Sequence, residues 1–333
     1  MIYSTKAIDM EDTFALKLAH ATEVGAMAAA RMSGRGDKNL ADQAAVEAMR
    51  QYLNTVDFAG RVVIGEGERD QAPMLYIGEE LGLKQSGKQQ QVLDIAVDPL
   101  ENTNATAAGL WNAISVLTAA EKGGLFHAPD MYMEKLVVGK EAAGKVDLDA
   151  PVETNLRAIA RGLDRKVADL VVVALDRDRN EQLIKDIRKA EARVKLILDG
   201  DLSGGIAAAV QGTGVHALMG IGAAPEGVMT AAAVKILGGE MQARFWPKDK
   251  AEISRLRQMG GDEKRVYLEK DLASGKMLIF AATGVTDGDL LKGVRFFGGG
   301  ARTHSLVMSY QTQKIRFIDT THILNASEMT FRL

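Results

Sequence analysis

The chain contains no cysteine. That absence excludes a disulfide framework, thiolate zinc, iron–sulfur ligation and a cysteine nucleophile together, and it leaves methionine as the only redox-active sulfur. Nor is there a surplus of charge of either sign: 41 lysines and arginines stand against 44 aspartates and glutamates, a formal net charge of -3. No global field draws nucleic acid or an anionic membrane, and there is no basic patch or aromatic stacking run, so any phosphate site must be built locally. No apolar run approaches the ~18 residues of a membrane span, and the opening MIYSTKAIDMEDTF lacks the basic-then-apolar order of a secretory signal. The expectation is a soluble, cytoplasmic protein without nucleic-acid or membrane partners. Histidine is scarce too: His20, His127, His216, His304 and His322 show no HExxH or other close ligand spacing, which argues against a histidine-built zinc site. Internal repeats, low-complexity tracts and long linkers are also missing.

What remains is an ordinary globular composition, 47% hydrophobic and 26% charged over 333 residues, enough for about two domains of ~150 residues. Helical spacing runs from Glu11 to Met32 and stops at Gly34-Arg35-Gly36. A second helix is expected from an N-cap at Asn39, with Asp42 in its first turn and Ala45, Ala48, Met49, Tyr52 and Leu53 as its buried stripe. Arg61 to Ile64 is a short β-rich run ending in Gly65-Glu66-Gly67-Glu68, and Pro73 to Leu81 reads as helix. Val92 to Val97 is a second strand ending in Asp98-Pro99-Leu100-Glu101-Asn102-Thr103, where Pro99 is expected to fix a turn. Further apolar runs at Ile114 to Ala119, Leu125 to His127 and Leu136 to Val138 imply a larger, partly antiparallel sheet in this half.

From about Pro151 the pattern alternates as in a parallel sheet with crossover helices. Strands at Leu170 to Leu175, Val194 to Leu198 and Val215 to Ile221 alternate with helices at Arg179 to Ala192, Ser203 to Val210 and Pro225 to Leu237. The charged stretch Lys248 to Lys270 is most simply a solvated helical excursion. The division expected is 1–150, a half with the larger mixed sheet, and 151–333, an α/β half with a mainly parallel sheet.

Asp42, Glu66, Glu68, Asp98, Glu101, Asp199, Asp201 and Glu226 all lie at expected helix starts or strand ends beside glycine or proline. Any one of them alone is equally well a cap or a turn residue. Gathered together, they would repel and resist desolvation unless cations compensated, and all-oxygen ligation selects hard ions such as Mg²⁺ or Mn²⁺.

The stretches GRGDKN, AVEAMR, VVIGEGERDQAPMLYIGEELG, DIAVDPLENT, APDMYMEKLVVG, DGD, APEGV, GGEMQA and ATGVTDGDL, in order from about Val24 to His322, resemble the class II (GlpX-type) fructose-1,6-bisphosphatases. That family sits among the lithium-sensitive sugar and inositol phosphatases. The resemblance implies a layered αβαβα fold, hydrolysis of the 1-phosphate of fructose 1,6-bisphosphate, and a homodimer or homotetramer. It further implies that Asp42, Glu66, Asp98, Glu101 and Glu226 bind Mg²⁺ or Mn²⁺ and that Thr103 orients or deprotonates the attacking water. Tyr132, Arg177, Arg179, Asp199, Gly200 and Asp201 match positions that hold the sugar bisphosphate, and Lys38 is an additional phosphate contact.

The chain departs from the family pattern in three places. Asn102 and Ala223 stand where the family usually has glycine, and Arg177-Asp178-Arg179 replaces a basic-Pro-Arg tripeptide, so the new Asp178 puts negative charge between two phosphate-binding cations. Substrate preference can drift through such changes. Sedoheptulose 1,7-bisphosphate hydrolysis, an inositol-phosphate phosphatase and a non-catalytic sugar-phosphate sensor are the alternatives; turnover with metal present separates the sensor from the enzymes.

Overall fold

The structure is a computed structural model that describes residues 5–67, 74–83 and 92–323, with side chains from residue 12 onward. Helices α1 (Thr5–Ala30) and α2 (Lys38–Leu53) lead into β1 (Ala59–Ile64), β2 (Glu80–Leu81) and β3 (Val92–Glu101), followed by α3 (Thr103–Ala108), β4 (Ile114–Glu121) and β5 (Tyr132–Val138). The chain continues through α4 (Val152–Gly162), β6 (Val171–Leu175), α5 (Glu181–Lys189), β7 (Arg193–Ile197), α6 (Asp201–Ala209), β8 (Ala217–Ala223), α7 (Ala224–Leu237) and β9 (Glu240–Trp246). It closes with α8 (Lys250–Gln258), β10 (Tyr267–Leu268), α9 (Glu269–Leu272), β11 (Leu278–Gly284), β12 (Arg295–Phe297), β13 (Gly300–Ser309) and β14 (Lys314–Ile323). No helix among the described residues is long and apolar enough to cross a membrane.

The elements form two mixed sheets with helices packed on them, consistent with a layered α/β phosphatase fold. One compact unit comprises Met1–Ala119 and Ile279–Leu333, and the other is Ala120–Leu278. This differs from the expected halves at residue 150, because β11, β13 and β14 return to the first sheet and β5 leaves it. Such pairings join residues far apart in sequence, which local patterning does not encode.

In the first unit the sheet runs β12-β13-β11-β4-β3-β1-β2, with β14 also on β13. β3 pairs parallel to β1, whereas β11, β12 and β14 all pair antiparallel to β13. Helices α1 and α2 pack on each other and on β3 through small buried residues such as Ala26, Ala29, Ala41 and Ala45, which allow close approach.

In the second unit the order is β10-β9-β5-β8-β6-β7. The β6-α5-β7-α6-β8-α7 alternation appears as expected, and β6 is parallel to both β7 and β8. The sheet is nevertheless not mainly parallel: β5 runs antiparallel to β8 and β9, and β10 antiparallel to β9. Its core is aliphatic, with Leu136, Leu156, Ile159, Val172, Ile187 and Met219 buried together.

Several local expectations need correction. Residues 74–79 form bends and turns before the strand β2, not a helix. Leu75 there has φ 52° and Gly78 φ 96°, values incompatible with a right-handed helix. Residues 125–127 form no strand. Pro99 fixes no turn: β3 continues to Glu101, and its register with β1 ends at Ala96, so the missing N–H of Pro99 costs that ladder nothing. The charged stretch from Lys248 contains α8 but then turns into β10 and α9.

Candidate active site

Helix α2 starts two residues earlier than its sequence suggests. Asp37 is the N-cap, its Oδ1 accepting from the Leu40 N–H at 3.0 Å, and Asn39 lies inside the helix. Asp42 therefore falls beyond the first turn, where a carboxylate has no capping work to do. It is half-buried, and burial alone raises its pKa to about 6. Glu66 follows β1 after Gly65; its N–H donates to the Leu75 carbonyl at 3.1 Å. Position 65 admits only glycine, because a Cβ there would lie 2.1 Å from that same carbonyl oxygen. Burial, and then the negative charge of Asp42, push the Glu66 carboxyl up to about 8. Two desolvated carboxyls of the first unit are thus close enough to repel each other. Glu68 lies outside the described residues.

Asp98 and Glu101 lie near the carboxyl end of β3, the first half-buried and the second 4% exposed. The turn comes at Asn102, which sits at φ 70°, ψ 53° and caps α3, its Oδ1 accepting from the Ala105 N–H at 3.2 Å. Thr103 opens that helix, half-buried. The GRGDKN loop is tied to α3: the Gly34 and Gly36 N–H groups donate to the Thr106 and Ala107 carbonyls, each at 2.9 Å. Lys38, the first residue of α2, is exposed beside this loop.

The left-handed conformation suits Asn102, since asparagine enters that region more readily than other non-glycine residues. The cap adds a second role. Asn102→Gly trades the cap, a loss of a few tenths of a kcal/mol, against relief of the positive φ, so thermal unfolding should move little; Asn102→Ala loses both and should cost about 1–2 kcal/mol. An alanine variant as stable as the parent would show that neither the cap nor the backbone matters.

The second unit supplies a different set. Tyr132 opens β5, and its ring is flanked by the guanidinium of Arg179, 4.1 Å from the centroid, and by Lys248 Nζ at 4.5 Å. Arg179 is oriented by donating from Nε to the Ile221 carbonyl at 2.9 Å. Arg177 and Asp178 are exposed, and Arg177 Nη1 donates to its neighbour's carbonyl, that of Asp176, at 3.3 Å. Lys248 carried no sequence signal beyond its charge, yet like Arg179 it packs against the Tyr132 ring.

Asp199 and Gly200 form the turn between β7 and α6, with Gly200 at φ 80°. Asp201 opens α6 but is buried, and its Oδ2 pairs with Lys135 Nζ at 2.5 Å. Lys135 is only 1% exposed and also donates to the carbonyl of Ala223, the last residue of β8, at 2.8 Å. A Cβ at Gly222 would lie 1.9 Å from Asp201 Oδ2, so glycine is required beside this pair. Sequence reasoning missed Lys135, because Glu134-Lys135 ahead of an apolar run looks solvated.

Glu226 lies in the first turn of α7. Its Oε2 is enclosed and has no hydrogen-bond partner among the described residues. Burial raises its pKa to about 7, opposed by the charge of Lys135 and reinforced by Asp201 and Asp130.

Taken unit by unit, these donors suit a hard divalent cation. Asp42 and Glu66 are desolvated oxygens whose mutual repulsion a cation would cancel, and Glu226 Oε2 is an enclosed acceptor that nothing else satisfies. Without a cation, the folded protein binds a proton at Glu66 far above the ordinary value of 4.5 that the unfolded chain keeps. The linkage sign follows: stability falls as pH rises from about 4.5 to about 8. Chelated Glu66→Gln should accordingly match the chelated parent near pH 5 and melt ~5 °C higher near pH 8, with the order reversed by added divalent cation. Equal melting at pH 8 would remove Glu66 from the strained cluster.

Residues 12–322 match the family described as "Bacterial fructose-1,6-bisphosphatase, glpX-encoded". A relative from Synechococcus sp. (strain JA-3-3Ab), named "D-fructose 1,6-bisphosphatase class 2/sedoheptulose 1,7-bisphosphatase", is 50% identical over 96% of this chain and 98% of its own. The Synechococcus elongatus relative of the same name is 49% identical over 95% and 98%, and one from Acaryochloris marina, whose name adds the numeral 2, is 48% identical over 94% and 96%.

Proposed function

The chain belongs to the glpX-encoded bacterial fructose-1,6-bisphosphatase family, and from that premise we propose that it hydrolyses fructose 1,6-bisphosphate to fructose 6-phosphate and phosphate with a divalent cation as cofactor. The single observation that carries the reading is the match over nearly the whole chain; the desolvated carboxyls of the first unit agree with it.

Asp42, Glu66, Asp98 and Glu101 of the first unit and Glu226 of the second are each assigned as cation ligands. The cation, Mg²⁺ or Mn²⁺, supplies charge neutralisation at the phosphoryl oxygens and the leaving oxygen. Thr103 Oγ1 accepts a hydrogen bond from the attacking water and aligns it with the bond to be broken. The water oxygen forms the new P–O bond and keeps one proton, the bond from phosphorus to the sugar O1 breaks, and the water's other proton ends on that oxygen, giving the hydroxyl of fructose 6-phosphate. Arg177, Arg179 and Tyr132 hold the phosphate that is retained, with Lys38 as a further phosphate contact. Asp199, Gly200 and Ala223 border the sugar. Asp201, assigned with them, meets first the structural demand of Lys135.

A second reading, hydrolysis of sedoheptulose 1,7-bisphosphate, is favoured by the double name of the relatives. Phosphate release from a panel of sugar bisphosphates and monophosphates, with Mg²⁺ and Mn²⁺ supplied separately, tests both. The expected result is turnover of fructose 1,6-bisphosphate that disappears on chelation and returns with either ion. Full activity after exhaustive chelation, or none on either bisphosphate with metal present, overturns the reading. We assign a cytoplasmic homodimer or homotetramer on family resemblance, for which sedimentation is the direct check.

A further inference from the structure

A second donor set, sharing no residue with the first, is assembled from opposite ends of the chain. His20 and Glu23 lie one turn apart on α1, and β14 brings His322 against them. Glu23 Oε2 is 2.9 Å from His20 Nδ1 and 3.9 Å from His322 Nε2, and one ligand atom from each of the three residues falls within 4.8 Å of the other two. All three belong to the same compact unit.

The carboxylate is held in place by its other oxygen. Glu23 Oε1 accepts from the hydroxyls of Thr320 at 2.6 Å, Thr303 at 3.2 Å and Ser305 at 3.5 Å. Three donors on Oε1 leave Oε2 turned toward the two imidazoles, and the Thr303 hydroxyl also lies 2.9 Å from His322 Nε2, a contact that an ion at this site would replace. Glu23 is 5% exposed, so its orientation is set by the packed faces of β13 and β14. The rings are also braced: His20 stacks on His322 at 5.9 Å and meets Tyr52 edge-on at 4.7 Å. Outer hydrogen bonds that fix a ligating carboxylate are what preorganise metal sites in general.

We propose that His20, Glu23 and His322 bind a borderline divalent cation, with Zn²⁺ the best match. Two imidazole nitrogens and one carboxylate oxygen favour zinc over the hard ions that all-oxygen sets select. Zinc bonds of ~2.0–2.1 Å in a tetrahedron require donor separations of about 3.3 Å; the two Glu23–His separations, 2.9 Å and 3.9 Å, bracket that value and all three pairs lie within 4.8 Å, so binding requires rotation of the half-exposed His20 ring and of His322 toward a common centre. Bound there, the ion clips α1 to β14 and fastens the last strand of the first sheet to the first helix.

The test uses the full chain, stripped with chelator and returned to excess Mg²⁺ so that the all-oxygen donors are satisfied. One equivalent of Zn²⁺ is added, loose metal is removed by desalting, and retained zinc, melting temperature and zinc X-ray absorption are measured on the parent, His20→Ala, His322→Ala and the control His127→Ala. Parent and control should retain zinc, melt ~5 °C higher with it and show imidazole scattering at the ion. Each of the other two variants should lose affinity at least about tenfold together with the melting shift. His20 is half-exposed, so its variant keeps the test valid even if His322→Ala folds poorly. Zinc retained equally by parent and His20→Ala, oxygen-only scattering, or no retention by the parent would each overturn the proposal and leave the three side chains as a His–Glu–His hydrogen-bond cluster.

Discussion

Asp98→Asn is expected to lower kcat/KM on fructose 1,6-bisphosphate by about 10³ or more, or about 4 kcal/mol of transition-state stabilisation, with the fold intact. The asparagine is isosteric, so the half-buried position near the end of β3 is still filled. What is lost is one negative charge at an assigned cation ligand, and with it the charge neutralisation that phosphoryl transfer requires. Removing a crowded carboxylate should leave the melting temperature of the chelated protein unchanged or raise it, which separates a chemical loss from a structural one. Turnover equal to the parent at saturating Mn²⁺ would take Asp98 out of the ligand set.

Lys135→Met is expected to destabilise the second unit by about 3–5 kcal/mol, because the buried carboxylate of Asp201 loses its cation. Methionine keeps the length of the side chain, so the loss is of charge and hydrogen bonds, not of volume. The double variant Lys135→Met with Asp201→Leu should recover much of the loss, since a buried pair replaced on both sides by apolar groups leaves no orphan. Lys135 also holds the Glu226 carboxyl down against burial, so its removal should raise that pKa above about 7 and weaken divalent-cation binding at neutral pH. A single variant as stable as the parent, binding cations equally well, would refute both parts.

The crossover alternation in the second unit was legible because each step is local: an apolar run of strand length, a glycine or acid at its end, and a helical stripe returning over it. The turn after β3 was placed only roughly: it was expected at Pro99 and comes at Asn102, where the backbone is left-handed. Pairing partners were not legible. Nothing within Tyr132–Val138 says that it joins β8 and β9 in place of the first sheet, and nothing in Gly300–Ser309 says that it turns back to β11. Burial of single polar residues was hidden too: Lys135 looks solvated until Asp201 arrives from another element. The histidines show the limit most clearly. Spacing along the chain argued against a histidine site, yet His20 and His322 stack at 5.9 Å, a proximity that only the β13–β14 hairpin and its packing on α1 create.

The discontinuity of the first unit has a consequence for synthesis on the ribosome. Strand β4 is buried along nearly its whole length in the finished sheet, between β3 and β11. When β4 emerges, β3 is available to pair with it, but β11 follows only after Ala120–Leu278 has been made, a delay on the order of ten seconds or more at ~5–20 residues per second. During that interval one edge of a hydrophobic strand stays open while the inserted unit, contiguous in sequence, can complete its own sheet. Release of the chain before β11 and β13 would strand that edge permanently, so truncation within the last fifty-odd residues should appear as aggregation of nascent protein and not as a soluble enzyme of reduced activity.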